Sequence, residues 1–227
     1  MMFSEFRTRS LKTERLDRGE FTRDEYLRWR KEMWYIHRLF GETRALKRTL
    51  LSDISQHGDA HISILDVGAG SGTLMSYLKS RILRNTSLIG LEMSYDSARG
   101  IAENGHIPVM GNALSLPFAD NSIDYVFCTL VLHHQTDSSA RELISEMRRV
   151  ARRKMIVIDL ERSVFSYFIF KLFGTALLQR FTRDDGALSI KRAFKLDELR
   201  KLLRASELHD LKVERSAIGR LILTADG

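Results

Sequence analysis

Ile64-Leu65-Asp66-Val67-Gly68-Ala69-Gly70-Ser71-Gly72-Thr73 decides the fold of this chain. An apolar run closes on an acid, passes glycines at 68, 70 and 72, and enters a segment with helical spacing. The order predicts a buried strand, a tight turn and a helix. Glycines let such a turn take positive φ and let a ligand approach the main chain. A dinucleotide-binding turn would place its third glycine at position 73, where this chain has Thr73. Asp66 lies two residues before the first glycine. A carboxylate there repels a pyrophosphate and attracts a cation.

Outward from this turn, strands and helices alternate. Apolar runs at 62–67, 87–91, 108–111, 124–129 and 154–159 are separated by helical patterns at 72–84, 95–104 and 138–151. That alternation predicts a parallel sheet with helices on both faces. The last runs, 211–215 and 218–224, flank Ser216-Ala217 and read as an antiparallel hairpin. Upstream, Thr22 and Glu25 form a capping box before a helix that carries Tyr26, Trp29, Met33, Ile36 and Phe40 on one side. That helix breaks near Gly41 and resumes over 43–55. Further helices are expected at 164–181 and 195–206. Residues 1–56 thus read as an N-terminal helical extension, 57–227 as one α/β domain, and 164–194 as a helical lid on it.

The pattern acid-x-Gly-x-Gly-x-Gly resembles the first motif of class I S-adenosylmethionine (SAM) methyltransferases. SAM carries a sulfonium and an ammonium, which suit an acid at the turn. Glu92 ends the second strand, where a carboxylate offers two acceptor oxygens to a pair of ribose hydroxyls. Gly111-Asn112-Ala113-Leu114-Ser115-Leu116-Pro117-Phe118 resembles the family's Gly-Asp-Ala-x-x-Leu-Pro-Phe, with Asn112 replacing the acid that accepts from the adenine amino group. The closing hairpin is similar to the family's sheet, in which the last strand inserts antiparallel between its neighbours. The resemblance implies a seven-stranded, Rossmann-like, mostly parallel sheet, and SAM as cofactor with S-adenosylhomocysteine as product. It assigns the cofactor to Asp66, Gly68, Ala69, Gly70, Gly72, Glu92, Met93, Asn112, Ala113 and Leu130, with Met93 against the adenine face.

Ligands of open α/β sheets bind at the carboxyl ends of the strands. His133 and His134 follow the fourth strand and Asp159 ends the fifth. A phenol or an activated carbon must lose a proton on methylation, and histidine suits that work near neutral pH. His134 is the first candidate base and His133 the second, with Asp159 orienting the base or the acceptor. No helical i+3 or i+4 partner supports the histidines as metal ligands, so no metal is expected. The Asn-Pro-Pro-Tyr motif of methyltransferases resembling the exocyclic-amine type is absent from this position. The run 164–173 is apolar on nearly every helical face, more than one interface requires. Part of it is therefore expected to line a pocket.

Glu14-Arg15-Leu16-Asp17, Ile36-His37-Arg38-Leu39, Arg183-Asp184-Asp185-Gly186 and Arg192-Ala193-Phe194 resemble segments of small bacterial methyltransferases associated with type III polyketide synthases. That narrower resemblance implies a small hydrophobic or aromatic acceptor of phenolic or polyketide type, methylated on oxygen or carbon in secondary metabolism. It places His37, Phe165, Phe168, Asp185 and Arg192 at the acceptor. That group has Asn-Arg at His37-Arg38 and Arg-His-Asp-Gly at Arg183-Asp184-Asp185-Gly186, departures that leave the acceptor open.

The formal charge is +7, which invites a nucleic-acid reading. The basic residues, however, are mixed with acids. The densest cluster, Arg148, Arg149, Arg152, Arg153 and Lys154, ends a predicted helix, where cations complement the macrodipole. The one cysteine, Cys128, can form no intrachain disulfide and suits a reducing cytoplasm. No apolar signal core is present near Met1, so no secretion is expected. The apolar run at 164–170, interrupted by Lys171, is too short to span a bilayer but leaves a peripheral membrane contact open. Monomer and homodimer both remain open. The competing readings are a methyltransferase of RNA or another macromolecule, a non-catalytic SAM-binding partner protein, and an NAD-dependent oxidoreductase. Glycine spacing and the terminal hairpin disfavour the last.

Overall fold

Ile62–Val67 forms β1, buried along both faces, in a computed structural model that describes residues 5–56, 61–82, 85–205, 208, 211–216 and 219–227. The other strands are β2 (Thr86–Glu92), β3 (Ile107–Met110), β4 (Ile123–Thr129), β5 (Ala151–Leu160), β6 (Lys212–Arg215) and β7 (Arg220–Asp226). They make one seven-stranded sheet in the order β3-β2-β1-β4-β5-β7-β6. β1 to β5 pair in parallel, and β7 lies antiparallel between β5 and β6, as the hairpin reading requires.

Side chains of successive strand residues point to opposite faces, and the core splits accordingly. Ile62, Ile64, Tyr125, Phe127, Ile156 and Ile158 pack with Leu46, Leu50, Leu74, Leu78 and Ile101 on one face. Leu65, Val67, Val126, Cys128, Met155 and Val157 pack with Leu143, Met147, Leu199 and Leu203 on the other. The helices, in chain order, are α1 (Arg23–Leu39), α2 (Glu42–Leu46), α3 (Ser52–Ile54), α4 (Thr73–Lys79), α5 (Tyr95–Glu103), α6 (Asp137–Val150), α7 (Val164–Leu177), α8 (Arg180–Arg192) and α9 (Leu196–Arg204). A π-helical turn, Lys47–Leu51, joins α2 to α3. The capping box at Thr22 and Glu25 starts α1.

Two helices depart from the sequence reading. α4 stops at Lys79, short of the expected residue 84, and residues 83 and 84 lie outside those described. Its serines turn back on the main chain, Ser76 Oγ to Gly72 O at 3.2 Å and Ser80 Oγ to Tyr77 O at 2.8 Å, a habit that weakens helices. The helix expected over 164–181 ends at Leu177, and α8, Arg180–Arg192, is a further helix not expected from the sequence. Gln179 breaks the expected helix because its backbone N–H donates to Glu32 Oε1 at 2.9 Å and its amide to Glu25 O at 2.8 Å, both on α1. Of the hairpin turn, Ala217 and Ile218 lie outside the described residues.

α7 and α8 meet at Gly186. A Cβ there would stand 2.3 Å from Phe170 Cζ. Gly186→Ala gains about 1 kcal/mol of helix propensity but overpacks this contact, at a cost of about 1–3 kcal/mol. The expected net result is a lower midpoint in thermal unfolding, and an unchanged or raised midpoint would show that the helices can separate freely.

The basic cluster is neutralised within the fold. Arg149 binds Asp120 and Glu146, Arg152 and Arg153 share the buried Asp124, and Lys154 pairs with Asp53 and Asp226. Arg148 also has an interaction.

Candidate active site

The carboxyl ends of β1, β2 and β4 open into a cleft. Gly68 N–H and Ala69 N–H both donate to Leu91 O, at 2.9 and 3.3 Å, which ties the glycine turn to β2. Gly68 needs to be glycine twice over: its φ is +75°, and a Cβ would stand 2.6 Å from Val131 Cγ2. Asp66, Gly68, Ala69, Gly70, Glu92, Met93, Gly111, Ala113 and Leu130 line this cleft. Gly72 instead caps α4. Glu92 Oε1 accepts from Gly70 N–H at 2.5 Å. Asp66 is 2% exposed and its Oδ1 has no partner. Burial, and then the nearby Glu92, push the Asp66 carboxyl well above its usual pKa. Burial also raises Glu92, against the opposing bonds from Gly70 and Met93 N–H. Two closely set carboxylates with so few donors suit a ligand that brings positive charge and hydroxyls.

His37 belongs to this cleft, not to the acceptor end where the sequence reading put it. It is buried, its Nδ1 is unpartnered, and desolvation lowers its pKa, with Arg220 adding and Glu42 opposing. Asn112 is also placed differently. Its Oδ1 accepts from Leu114 N–H at 3.0 Å, closing a turn, while Gly111 and Ala113 face the cleft. The short polar side chain satisfies its own loop first.

Beyond Leu130 lies a second, mainly apolar chamber of about 110 Å³. Trp29, Met33, Ile36, Phe40, Phe165, Ile169 and Phe170 form its walls. That volume is below the roughly 150 Å³ that holds one benzene ring. The chamber is not closed, so part of an aromatic acceptor can extend beyond it. Phe165 lines the chamber, whereas Phe168, expected there, points outward at 48% exposure, because the helix turn that buries Phe170 carries it away. Leu130 separates cleft from chamber with φ at 58°, a left-handed conformation. For a leucine that costs about 1–2 kcal/mol, and such strain clusters at functional sites.

The chamber's polar end joins residues distant in sequence. A strap formed by residues 5–20 crosses it. Arg162, fully buried at the end of β5, donates to Phe6 O at 3.2 Å and Arg7 O at 3.3 Å. Arg9 donates to Arg192 O and Gln135 O, both at 2.7 Å, and lies over the Phe194 ring at 3.7 Å. Asp185, expected to meet the acceptor, lines the chamber but spends its carboxylate on the strap, accepting from Arg15 N–H at 3.0 Å and Leu16 N–H at 2.9 Å.

The strap delivers Glu14 and Asp17 to the histidines. His133 Nδ1 lies 2.7 Å from Asp159 Oδ1, and Asp159 also accepts from the N–H groups of His133 and Leu160. Burial alone would raise Asp159; the His133 ring, together with the N–H groups of Leu160 and His133, outweighs it and keeps the carboxyl below its usual pKa. With Nδ1 so engaged, His133 Nε2 faces Glu14 Oε1 at 3.7 Å. His134 Nδ1 lies 3.0 Å from Asp17 Oδ2, and Arg192 Nη1 lies 2.9 Å from the same oxygen. Burial opposes ionisation of Asp17, but His134 and Arg192 draw its pKa down to about 2. The two ring centroids lie 4.1 Å apart, with the planes tilted by 38°. Of the pair, only His134 lines both cleft and chamber.

Donor atoms of Glu14, His133 and His134 lie within 4.8 Å of one another, a spacing compatible with a metal ion. Arg192 Nη1 stands 3.7 Å from Glu14 Oε1 in the same cluster. Burial raises the pKa of Glu14 to about 7, with Asp17 adding and His134, Ser189 and Arg192 opposing. A carboxyl held above its unfolded value stabilises the fold fully below about pH 4.5 and loses that contribution as pH rises through about 7. Glu14→Gln should therefore raise the unfolding midpoint more at about pH 8 than at about pH 5. Equal shifts at both pH values would refute a burial penalty on the carboxylate.

Residues 65–158 match the family described as a methyltransferase domain. Demethylmenaquinone methyltransferase from Geobacillus stearothermophilus is 32% identical over 124 residues, 49% of this chain and 52% of that protein. The chain thus spans about half the length of that relative. The protein of the same name from Geobacillus kaustophilus is 28% identical over 178 residues, covering 68% of this chain and 74% of its own. Among solved structures, magnesium protoporphyrin IX methyltransferase from Synechocystis, with bound SAH, superposes with a TM-score of 0.62 at 17% identity, over 93% of this chain and 98% of that one. The fold is the Rossmann-like fold of SAM-dependent methyltransferases, whose cofactor is SAM.

Proposed function

We propose, on the premise that residues 65–158 form a methyltransferase domain, that the chain transfers a methyl group from SAM to oxygen or carbon of a small hydrophobic, aromatic acceptor of phenolic or polyketide type. One observation carries this reading: Leu130 and His134 form a wall common to an acid-lined cleft and an apolar chamber. The cleft suits the cofactor. Asp66 would face its cationic end and Glu92 its ribose hydroxyls, with Met93 and Ala113 at the adenine. His37, the other unpartnered polar group of the cleft, is suited to the carboxylate of the amino-acid end.

Bound SAM supplies an electrophilic methyl and a neutral thioether leaving group. The protein's share is position and proton removal. The apolar walls exclude water from the acceptor and hold its ring. His134, oriented by Asp17, takes the acceptor's proton at Nε2; Asp17 stays ionised and steadies the imidazolium. His133, set by Asp159, and Glu14 orient the acceptor's polar group from the far side of the chamber. Arg192 holds Asp17 and donates to His134 O at 3.1 Å, so its role is to position the base.

The test is a calorimetric titration with SAM and with NAD, followed by radiolabelled methyl transfer to a panel of simple phenols, alkylated phenols and bulk RNA. SAM binding and label on a phenol are expected. Label on RNA alone would overturn the acceptor class, and SAM binding with no label on any acceptor would point to the non-catalytic reading.

A further inference from the structure

α7 is held to the body by buried Ser166, Phe170 and Gly174, with Val164, Tyr167 and Ile169 partly buried beside them. Its other large apolar side chains, Phe165, Phe168, Leu172, Phe173 and Leu177, are each between 48% and 70% exposed. A contiguous apolar surface of this kind marks an interaction site. α7 contains no acid; its one charged residue is Lys171, and Arg180, 87% exposed and 3.5 Å from Asp184, follows at the start of α8. α1 comes beside it at its C-terminal end, where Phe40, its capping residue, meets Phe170 at 5.6 Å. It too exposes large apolar residues, Leu27, Tyr35 and Leu39, among the exposed cations Lys31 and Arg38.

We propose that α7 lies in the surface of an anionic lipid bilayer, with its Phe and Leu side chains among the acyl chains and its flanking cations at the headgroups. An apolar helix face bordered by Lys and Arg is the pattern that binds such interfaces. Continuity with the site adds a reason: Phe165 belongs both to the exposed face and to the chamber wall. A lipophilic acceptor could then pass from the bilayer to the chamber along α7. The docking goes beyond the proposed reaction, and its test does not depend on methyl transfer.

The full chain is floated with vesicles of phosphatidylcholine alone, and with vesicles of equal parts phosphatidylcholine and phosphatidylglycerol. Binding to the second and little to the first is expected. Leu172→Ser with Phe173→Ser, neither in the chamber lining, should weaken binding by about 10- to 100-fold. Lys171→Glu should weaken it by about fivefold to tenfold. Should the serine variant fail to fold, Leu172→Trp should bind as tightly as the parent and shift its emission to the blue on adding vesicles. No binding of the parent to either vesicle would overturn the proposal. So would retained binding by the folded serine variant, an unshifted Leu172→Trp emission, or a sedimenting dimer that the serine substitutions dissociate.

Discussion

Replacing His134 by alanine will lower kcat by about 10²- to 10⁴-fold, the usual span for a lost general base, with SAM affinity unchanged in calorimetry. The reason is location. His134 alone of the two histidines touches cleft and chamber together, and its Nδ1 is fixed by a carboxylate that stays ionised. His133→Ala should act mainly on KM for the acceptor, because its ring is buried with Asp159 and Glu14 deeper in the chamber. Equal losses of turnover and SAM affinity in His134→Ala would reduce it to a wall residue. A larger kcat loss in His133→Ala would move the base to the His133–Asp159 pair.

Asp66→Asn should weaken SAM binding by about 30- to 100-fold, the equivalent of 2–3 kcal/mol for removing one partner of a buried charge pair. The same change should stabilise the free protein. Asp66 is buried with an unpartnered oxygen and lies close to Glu92, so its folded-state pKa is raised. A raised carboxyl stabilises the fold below its unfolded pKa and loses that contribution as pH rises, so the gain on neutralisation grows with pH. Binding a cation favours the ionised form. The parent's SAM affinity should therefore climb with pH until Asp66 has ionised, while that of the variant stays flatter. Thermal unfolding and calorimetry across pH read both effects. A destabilised Asp66→Asn would mean that the carboxylate has a stabilising role in the free fold.

The sheet was legible because its signals are local and periodic. β1 and the glycine turn declare themselves in ten residues, and the closing strands keep their alternation. The acids of the cleft, Asp66 and Glu92, were legible because each ends a strand at a known distance from the glycines. The strap was not. Residues 5–20 have no period, and their course is set by Arg162, 156 residues from Phe6, and by Arg9, 126 residues from Gln135. Glu14 and Asp17 could be noticed as acids but not paired with His133 and His134. His37 was misplaced for a related reason: helical spacing puts it on α1, yet only the way α1 crosses the sheet decides which opening it faces. Gln179 broke a helix that its own neighbours favour, through bonds to Glu25 and Glu32 on α1.

The strap also sets an order of assembly. Among the described residues the apolar clusters on the two sheet faces contain no strap residue, while Phe6 joins a third cluster with Phe170 and Ile190; the two cleft acids sit on the strands. A chain whose strap is undocked keeps Asp66 and Glu92 on their strands but loses Leu16 and Asp17 from the cleft wall, and leaves His134 without Asp17 and His133 without Glu14. Local opening of so thin a segment is cheaper than global unfolding. Protection of the strap amides against hydrogen exchange, compared with that of the sheet, would measure how often the strap opens.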